Sequence, residues 1–528
     1  MTSWLQTARI GIERVEAWFD AAFTPAWNPF YHLGALGWFF YWVVAVSGIY
    51  LYVFFDTGVT QAYDSVEYLT HVQWYAGGVM RSLHRYASDA LMIVMVLHLL
   101  RELIMDRLRG VRWFSWVVGV PLLWFVYASG LSGYWLVWDR LAQYIAITTT
   151  EWLDSLGIFG EPIARNFLNE ATLSGRFFTL MVFIHIAVPL ILLFLMWIHI
   201  QRMAHAKVNP PKGLAAGTLG MLLALSFLHP AVSQAPANLD QVPATVALDW
   251  FYLPAYPLLD VVPGLTLWGL LGGGTLLLLL LPWLPRKRRQ PVAVVDLGNC
   301  NGCGRCYADC PYTAISMAPR SDGRPFEQEA IVHASRCASC GICAGACPTS
   351  TPFRRASELV PGIDMPAFPI RELREHTLRA TGKLHGTERV IVYGCQPVVV
   401  RLGELKQPGV AVVALPCIAM LPPSFLDFLI TKGHVDGVFL TGCREGDCYH
   451  RLGIDWMEQR IARDRDPFLR SRVPRERIGR HWAGLSERRQ LARELAAFRA
   501  TLRALSPLGN GQAGYVRERQ AVNLERHG

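Results

Sequence analysis

The first 299 residues contain no cysteine, and all 12 cysteines of the 528-residue chain lie beyond them. Disulfides and thiolate-held metals are therefore excluded from more than half of the protein. Charge is also scarce early on. Residues 34–284 hold long uncharged runs, whereas 286–528 have the composition of an ordinary soluble protein. No DNA- or RNA-binding motif occurs. The net charge of +9 is modest and is largely met by arginine clusters, so nucleic acid is not expected as a partner. No cleavable signal peptide is evident. The stretch Met1–Asp20 is amphipathic, with Trp4, Ile12, Val15 and Trp18 between charges. It reads either as a membrane-surface helix or as a short solvated lead-in.

What is present in the first half is a series of apolar segments at about 34–55, 79–104, 113–136, 176–203, 213–232 and 264–284. Each is long enough to span a bilayer. The loops after the second and fourth segments carry Arg101, Arg107, Arg109, Arg112, Arg202, Lys207 and Lys212, and the last segment runs into Arg286–Lys287–Arg288–Arg289. The 233–263 loop has Asp240, Asp249 and Asp260 and no Lys or Arg. The positive-inside rule then places both termini and everything after residue 286 in the cytoplasm, with the spans in a prokaryotic inner (cytoplasmic) membrane.

Four histidines fall inside these segments. His84 and His98 are fourteen residues apart in the second, and His185 and His199 are fourteen apart in the fourth. That is close to four helical turns, so each pair shares a face with a separation of roughly 21 Å. Helices packed face to face would bring His84 to His185 and His98 to His199, each pair holding one haem iron between two imidazoles. Intramembrane ionisable side chains are rare and usually functional; the bland alternative is four unrelated buried histidines. Gly34 and Gly48 in the first segment and Gly119 and Gly133 in the third repeat the same spacing. Missing side chains at that period let a flat macrocycle approach two backbones, although glycine in a span also serves close helix packing.

Met80–Tyr86 (MRSLHRY), the paired histidines and Ser132–Asp139 (SGYWLVWD) resemble cytochrome b of the bc- and bf-type quinol-oxidising complexes, the plastid-type branch most closely, over about residues 25–285. The resemblance implies an outer haem b on His84 and His185, an inner one on His98 and His199, and Arg81 and Arg85 near haem propionates. It also implies an outer quinone site at Asp249, Trp250 and Tyr252, where a carboxylate could accept a quinol proton. The family's Pro-Glu-Trp-Tyr here reads Leu248-Asp249-Trp250-Phe251, which also suits an interfacial loop with an aromatic belt residue. His205 falls where the family places inner quinone-site residues. The cysteine that tethers an extra haem in the plastid branch is replaced by His32, and no Cys-x-x-Cys-His occurs, so no covalent haem is expected.

Beyond residue 299, Cys300-x-x-Cys303-x-x-Cys306-x-x-x-Cys310-Pro311 is followed by Cys337-x-x-Cys340-x-x-Cys343-x-x-x-Cys347-Pro348. This is the bacterial two-cluster ferredoxin run, in which each fourth cysteine serves the other cluster. Cys300, Cys303, Cys306 and Cys347 are expected to hold one [4Fe–4S] cluster, and Cys337, Cys340, Cys343 and Cys310 the second. Zinc sites rarely use this register.

From about 388, three apolar β-branched runs each end in a cysteine, at Cys395, Cys417 and Cys443, with Cys448 following. Such runs suggest a parallel sheet whose ligands gather at the carboxyl ends of its strands. Spacing alone leaves zinc open here. The Gly-Cys, Pro-Cys and Gly-Cys-x-x-x-x-Cys elements resemble the delta subunit of methyl-viologen-reducing hydrogenases over about 388–460. That resemblance implies a [2Fe–2S] cluster on Cys395, Cys417, Cys443 and Cys448, and exchange with a heterodisulfide-reductase-like flavoprotein.

The expected architecture is multi-domain: a lead-in at 1–33, an all-α six-helix transmembrane bundle at 34–285 holding two haem b, a ferredoxin-like 2×[4Fe–4S] domain at 290–360, a small α/β parallel-sheet domain at 388–460, and an Arg-rich helical tail at 461–528 with Leu491, Leu495, Phe498, Leu502 and Leu505 at helical spacing. The expected activity is quinone-linked oxidoreduction, relaying electrons between membrane quinone or quinol, the haems and cytoplasmic clusters. The soluble partner could be a heterodisulfide-reductase-like flavoprotein, a hydrogenase or a pyridine-nucleotide oxidoreductase; a homodimer is left open. The alternatives are a cytochrome b subunit of a quinol:cytochrome c reductase and an electron-conducting anchor with no quinone site of its own.

Overall fold

A chain buried in hydrocarbon must satisfy every backbone N–H and C=O within itself, so the apolar segments are helices. The computed structural model describes residues 3–505 apart from 159, 164–167, 169–172, 242–244, 250–251, 285–289, 397–404 and 406. All six expected segments are helical: Leu33–Phe54, Val79–Ile104, Trp113–Val137, Gly175–Ile200, Lys212–Leu228 and Gly264–Leu280. Four stretches, Pro29–Phe54, Gly110–Val137, Gly175–Ile200 and Gly264–Trp283, are long and apolar enough to cross a membrane. The second expected span has the length but carries Arg81, Arg85, Asp89, Arg101 and Glu102, and the fifth is only 17 residues long. The basic run 286–289 that argued for orientation lies outside the described residues, apart from its sequence.

Of the described residues, those within 19–201 and 206–287 form one compact unit, and those within 1–18, 202–205 and 288–528 form another. In the first unit Leu36, Phe40, Leu83, Leu91 and Val126 pack between helices. Large apolar side chains also face outward: Ile49 and Phe183 are each 68% exposed. Apolar surface of this extent suits lipid rather than water. A further helix follows the third segment directly. Trp138 takes a left-handed conformation that ends Trp113–Val137, and Asp139 then starts Arg140–Asp154. The Asp139 carboxylate accepts from the N–H groups of Ala142 (2.9 Å) and Gln234 (2.8 Å), which caps the helix and pins the following loop.

Among the described residues the second unit holds eight strands. β1 (Val294–Val295) pairs antiparallel with β4 (Ile363–Asp364), and β2 (Ile315–Pro319) with β3 (Gln328–Val332). Between these ladders run the two cysteine loops. Gly302 has φ of +67°, and a β-carbon there would strike the Gln328 carbonyl, so the loop needs glycine. The remaining strands, β5 (Val390–Cys395), β6 (Val410–Leu415), β7 (Gly437–Gly442) and β8 (Ile478–Trp482), form a fully parallel sheet in the order β6-β5-β7-β8.

The sheet domain is larger than expected. β8 is a fourth strand, and the helix Arg488–Ala504 lays Leu491, Leu495, Phe498 and Leu502 on Val390, Val392 and Phe439 of the sheet. The boundary set at 460 therefore does not separate a tail. The helix turns its apolar face to the sheet and closes its core.

The lead-in differs too. Residues 3–18 are helical and belong to the second unit, with Glu13 and Glu16 buried. Arg444, itself buried, donates to the Glu13 carbonyl (3.0 Å) and the Glu16 carboxylate (3.3 Å). The Glu13 carboxylate accepts from Ser486 N (2.9 Å). The acidic residues are thus the packed ones, while Trp4 and Trp18 stay exposed. That arrangement replaces the solvated lead-in.

Candidate functional site

His84 sits on Val79–Ile104 and His185 on Gly175–Ile200, and their ring centroids lie 6.2 Å apart with the planes tilted by 62°. The Nδ1 of His84 lies 3.0 Å from the Val44 carbonyl and 3.2 Å from Ser47 Oγ. The Nδ1 of His185 lies 3.0 Å from Ser132 Oγ. Holding Nδ1 in this way fixes the ring and leaves Nε2 for a metal. Bonds from imidazole nitrogen to a transition metal run about 2 Å, so this separation matches one iron between two rings.

The glycines meet the histidines as their spacing suggests. A β-carbon on Gly48 would stand 2.9 Å from His84, on Gly133 2.9 Å from His185, on Gly119 3.0 Å from His199, and on Gly34 3.6 Å from His98. Each histidine ring therefore lies against a bare glycine backbone. These residues fit haem b, which would supply a one-electron iron couple.

Arg81 and Arg85 have protein partners. Arg81 is buried and donates to Thr70, Ser233 and Glu67. Arg85 pairs with Asp89 (3.1 Å) and with Asp249, and its guanidinium lies 4.4 Å over the Tyr134 ring. The Tyr134 hydroxyl also donates to Asp249. Asp249 is thus held by a cation and a phenol, a set able to pass a proton. Tyr134 belongs to the motif that carried the resemblance, but nothing in that motif marked it as a partner of residue 249.

Tyr252, also expected at that quinone site, stands edge-on to Tyr134 with ring centroids 5.8 Å apart, and its backbone N–H donates to the Asp249 carbonyl (3.2 Å). Tyr252 is buried against Gly130, and its hydroxyl donates to the Val126 carbonyl (2.8 Å). Trp250 lies outside the described residues. His205 belongs to the second unit, where its carbonyl accepts from Arg451 (3.2 Å) and its ring stands edge-on to Trp456 at 6.1 Å.

The ferredoxin cysteines assemble as paired. One cavity is lined by Cys300, Cys303, Cys306 and Cys347, with Met317 and Ile363. Another is lined by Cys310, Cys337, Cys340 and Cys343, with Ile315 and Met365. Each run thus contributes three thiols to one cavity and one to the other. Burial pushes the Cys306 thiol up to about 12 and those of Cys340 and Cys343 well up. Loading iron here must release protons, and the metal charge then holds the thiolates. Among the described residues no three His, Cys, Asp or Glu side chains are spaced for one bare metal ion. The two cavities fit [4Fe–4S] clusters, which would supply further one-electron couples.

The strand-end cysteines also converge. Cys395 ends β5, Cys417 follows β6 and Cys443 follows β7. A β-carbon on Gly442 would meet Cys395 Sγ at 3.1 Å, and one on Gly453 would crowd Cys417 Sγ and meet Cys448 Sγ at 3.4 Å. Cys443 is held low by hydrogen bonds from Cys395 and Cys448, and both of those are pushed up in turn. The four cysteines therefore gather at the sheet's carboxyl edge, Cys395, Cys417 and Cys443 buried and Cys448 half-buried.

Comparison with known proteins matches three family models. "Cytochrome b/b6/petB" matches residues 19–207, "4Fe-4S dicluster domain" matches 299–351, and "Methyl-viologen-reducing hydrogenase, delta subunit" matches 401–506. The last range takes in β8 and the helix after it; Cys395 precedes it. Relatives include cytochrome b of Rhodospirillum rubrum, 26% identical over 294 residues, covering 49% of this chain and 71% of the relative. Cytochrome b of Allochromatium vinosum is 26% identical over 296 residues, covering 46% and 69%. A solved structure, "Hyperthermophilic respiratory Complex III", is 24% identical with a TM-score of 0.40, covering 48% of this chain and 75% of that one. The N-terminal part is a cytochrome b/b6-type domain, and the C-terminal part carries a 4Fe-4S dicluster domain and a hydrogenase-delta-type domain.

Proposed function

We propose that this chain is the electron-transfer subunit of a quinone-dependent oxidoreductase, linking membrane quinone to a soluble redox partner through two haem b, two [4Fe–4S] clusters and one [2Fe–2S] cluster. The observation that carries it is the grouping of redox-ligand side chains in one polypeptide. Two histidine pairs each lie beside a bare glycine, and twelve cysteines fall into three quartets. A cytochrome b that serves only an external acceptor has no use for the quartets, and a plain ferredoxin has no use for the histidines.

His84 and His185 would hold the outer haem and His98 and His199 the inner one. With the iron–sulfur domains in the cytoplasm of a prokaryote, the inner haem is the one that exchanges with the clusters. Asp249, set between Arg85 and Tyr134, is the carboxylate best placed to receive a quinol proton at the outer edge. Electron movement between outer quinone and inner clusters crosses the membrane potential, worth about 2.3 kcal/mol per charge per 100 mV. That field would drive low-potential chemistry in one direction and store energy in the other. The strand-end quartet is the exit to the partner, of the heterodisulfide-reductase-like, hydrogenase or pyridine-nucleotide class.

The test is anaerobic mixing of the purified chain with a quinol and, separately, of the dithionite-reduced chain with a quinone, while haem b absorbance is followed. Reduction in the first and reoxidation in the second are expected. Haems inert in both would remove the quinone from the account.

A further inference from the structure

The relay has three iron–sulfur sites, and ligand assignment alone does not say which cubane serves the third. The loop Cys340–Cys343, which walls the second cavity, abuts the segment after Cys417. A β-carbon on Gly341 would come 2.5 Å from Met420 Sδ and 2.7 Å from its Cγ, and one on Gly345 would strike the Ala419 carbonyl. The first cavity includes none of residues 340–346 in its lining.

A buried cation ties the same two places together. Arg460 is fully buried and donates to the Ala419 carbonyl (2.8 Å) and to the Asp309 carboxylate. Asp309 directly precedes Cys310, and Ala419 lies two residues past Cys417. Arg465 takes the other Asp309 oxygen and stacks over Trp456, whose indole N–H donates to the Asp309 carbonyl (3.1 Å). Arg460 is thus a cation buried between the two places, paired with the buried Asp309, while Arg465 reaches the same carboxylate from a partly exposed position. The helix Gly453–Ala462 carries Trp456 and Arg460, and its first residue lies against Cys417 and Cys448. Its N-terminus, the positive end of the helix, thus points at the third quartet.

We infer that the Cys310–Cys337–Cys340–Cys343 site, and not the Cys300 site, exchanges electrons with the strand-end site, and that Arg460 is the positioning residue that locks the two together and biases both toward reduction. The inference rests on the three-cluster reading above. In each transfer one electron passes, one site is oxidised by one unit and the other reduced by one, and no atom or proton moves. A buried positive charge stabilises the reduced, more negative form of each neighbour.

The experiment is electron paramagnetic resonance of the full chain during a redox titration. In the wild type, the third cluster's signal should split when a cubane is reduced. The splitting should vanish in Cys337→Ser and persist in Cys303→Ser; the reverse pattern, or no splitting in the wild type, overturns the inference. Arg460→Gln should lower the midpoint potentials of the second and third clusters and leave the first unmoved, with Arg460→Lys restoring them in part. Unchanged potentials would overturn the role of Arg460. Asp309→Asn/Arg460→Gln removes both members of the buried pair, so a folded variant is obtained if the single change destabilises the domain. A wild-type chain with no third signal at all would instead sink the three-cluster reading.

Discussion

Gly133 and His185 belong to neighbouring membrane helices, and a β-carbon added to Gly133 would lie 2.9 Å from the imidazole Cε1. The ring occupies space that only glycine leaves open. Gly133→Val should therefore push His185 aside and remove or convert one haem, halving the b-haem content per chain. Haemochrome assay against protein concentration checks it. Gly119→Val should do the same at His199, and a variant with both haems intact would contradict the assignment.

Asp249 is the only carboxylate that both Arg85 and Tyr134 contact among the described residues. Asp249→Asn keeps the shape but removes the charge and the base. Quinol-driven haem reduction should slow by about tenfold or more, within the usual range for loss of a general base. Stopped-flow absorbance reads this directly. An unaffected variant would favour an inner-side quinone site or an anchor that only conducts.

Arg444→Ala would leave Glu16 buried without the cation that now donates to it, at a cost of about 3–5 kcal/mol for a broken buried pair. Residues 3–18 should detach, so trypsin should cut at Arg9 and Arg14 far faster than in the wild type. Cys443 is the next residue, so the third cluster's signal should also become easier to bleach. Equal cleavage rates would show that the helix is held by other contacts.

Burial pushes the Asp364 carboxyl up from 3.8 to about 6, against the N–H groups of Met365 and Ile370 that it accepts. The neutral form is the one the fold prefers, so its stabilisation is present below pH 4 and is lost as pH rises through 6. Asp364→Asn should be indifferent at pH 4.5. At pH 7.5 it should raise stability by about 1–2 kcal/mol after allowance for partial exposure. Thermal loss of the iron–sulfur absorbance at the two pH values measures the difference.

Periodicity and short motifs were the legible part of this chain. Fourteen-residue spacings put His84, His98, His185 and His199 beside Gly48, Gly34, Gly133 and Gly119, because a helix converts spacing into a face. The ferredoxin quartets followed from a motif whose spacing is itself the geometry. Interactions between distant charges were not legible. Arg444 meets Glu16 across 428 residues, and neither neighbourhood announces the other. β8 escaped notice because Ile478–Trp482 contains Gly479, Arg480 and His481 and has no alternating apolar pattern, only a place beside β7. The motif around Tyr252 likewise does not announce that its hydroxyl donates to the Val126 carbonyl, 126 residues away.

On the proposed function the cysteine quartets and the membrane haems form one conducting path. Reconstituted chain should be mixed anaerobically with a low-potential viologen radical confined to the side of the iron–sulfur domains, and haem b reduction followed in wild type and in Cys337→Ser. Rapid haem reduction in the wild type, slowed about tenfold or more when the second quartet is broken, is the predicted result, a loss of at least 1.4 kcal/mol in transfer barrier. Haem reduction at the same rate in both chains would contradict the path.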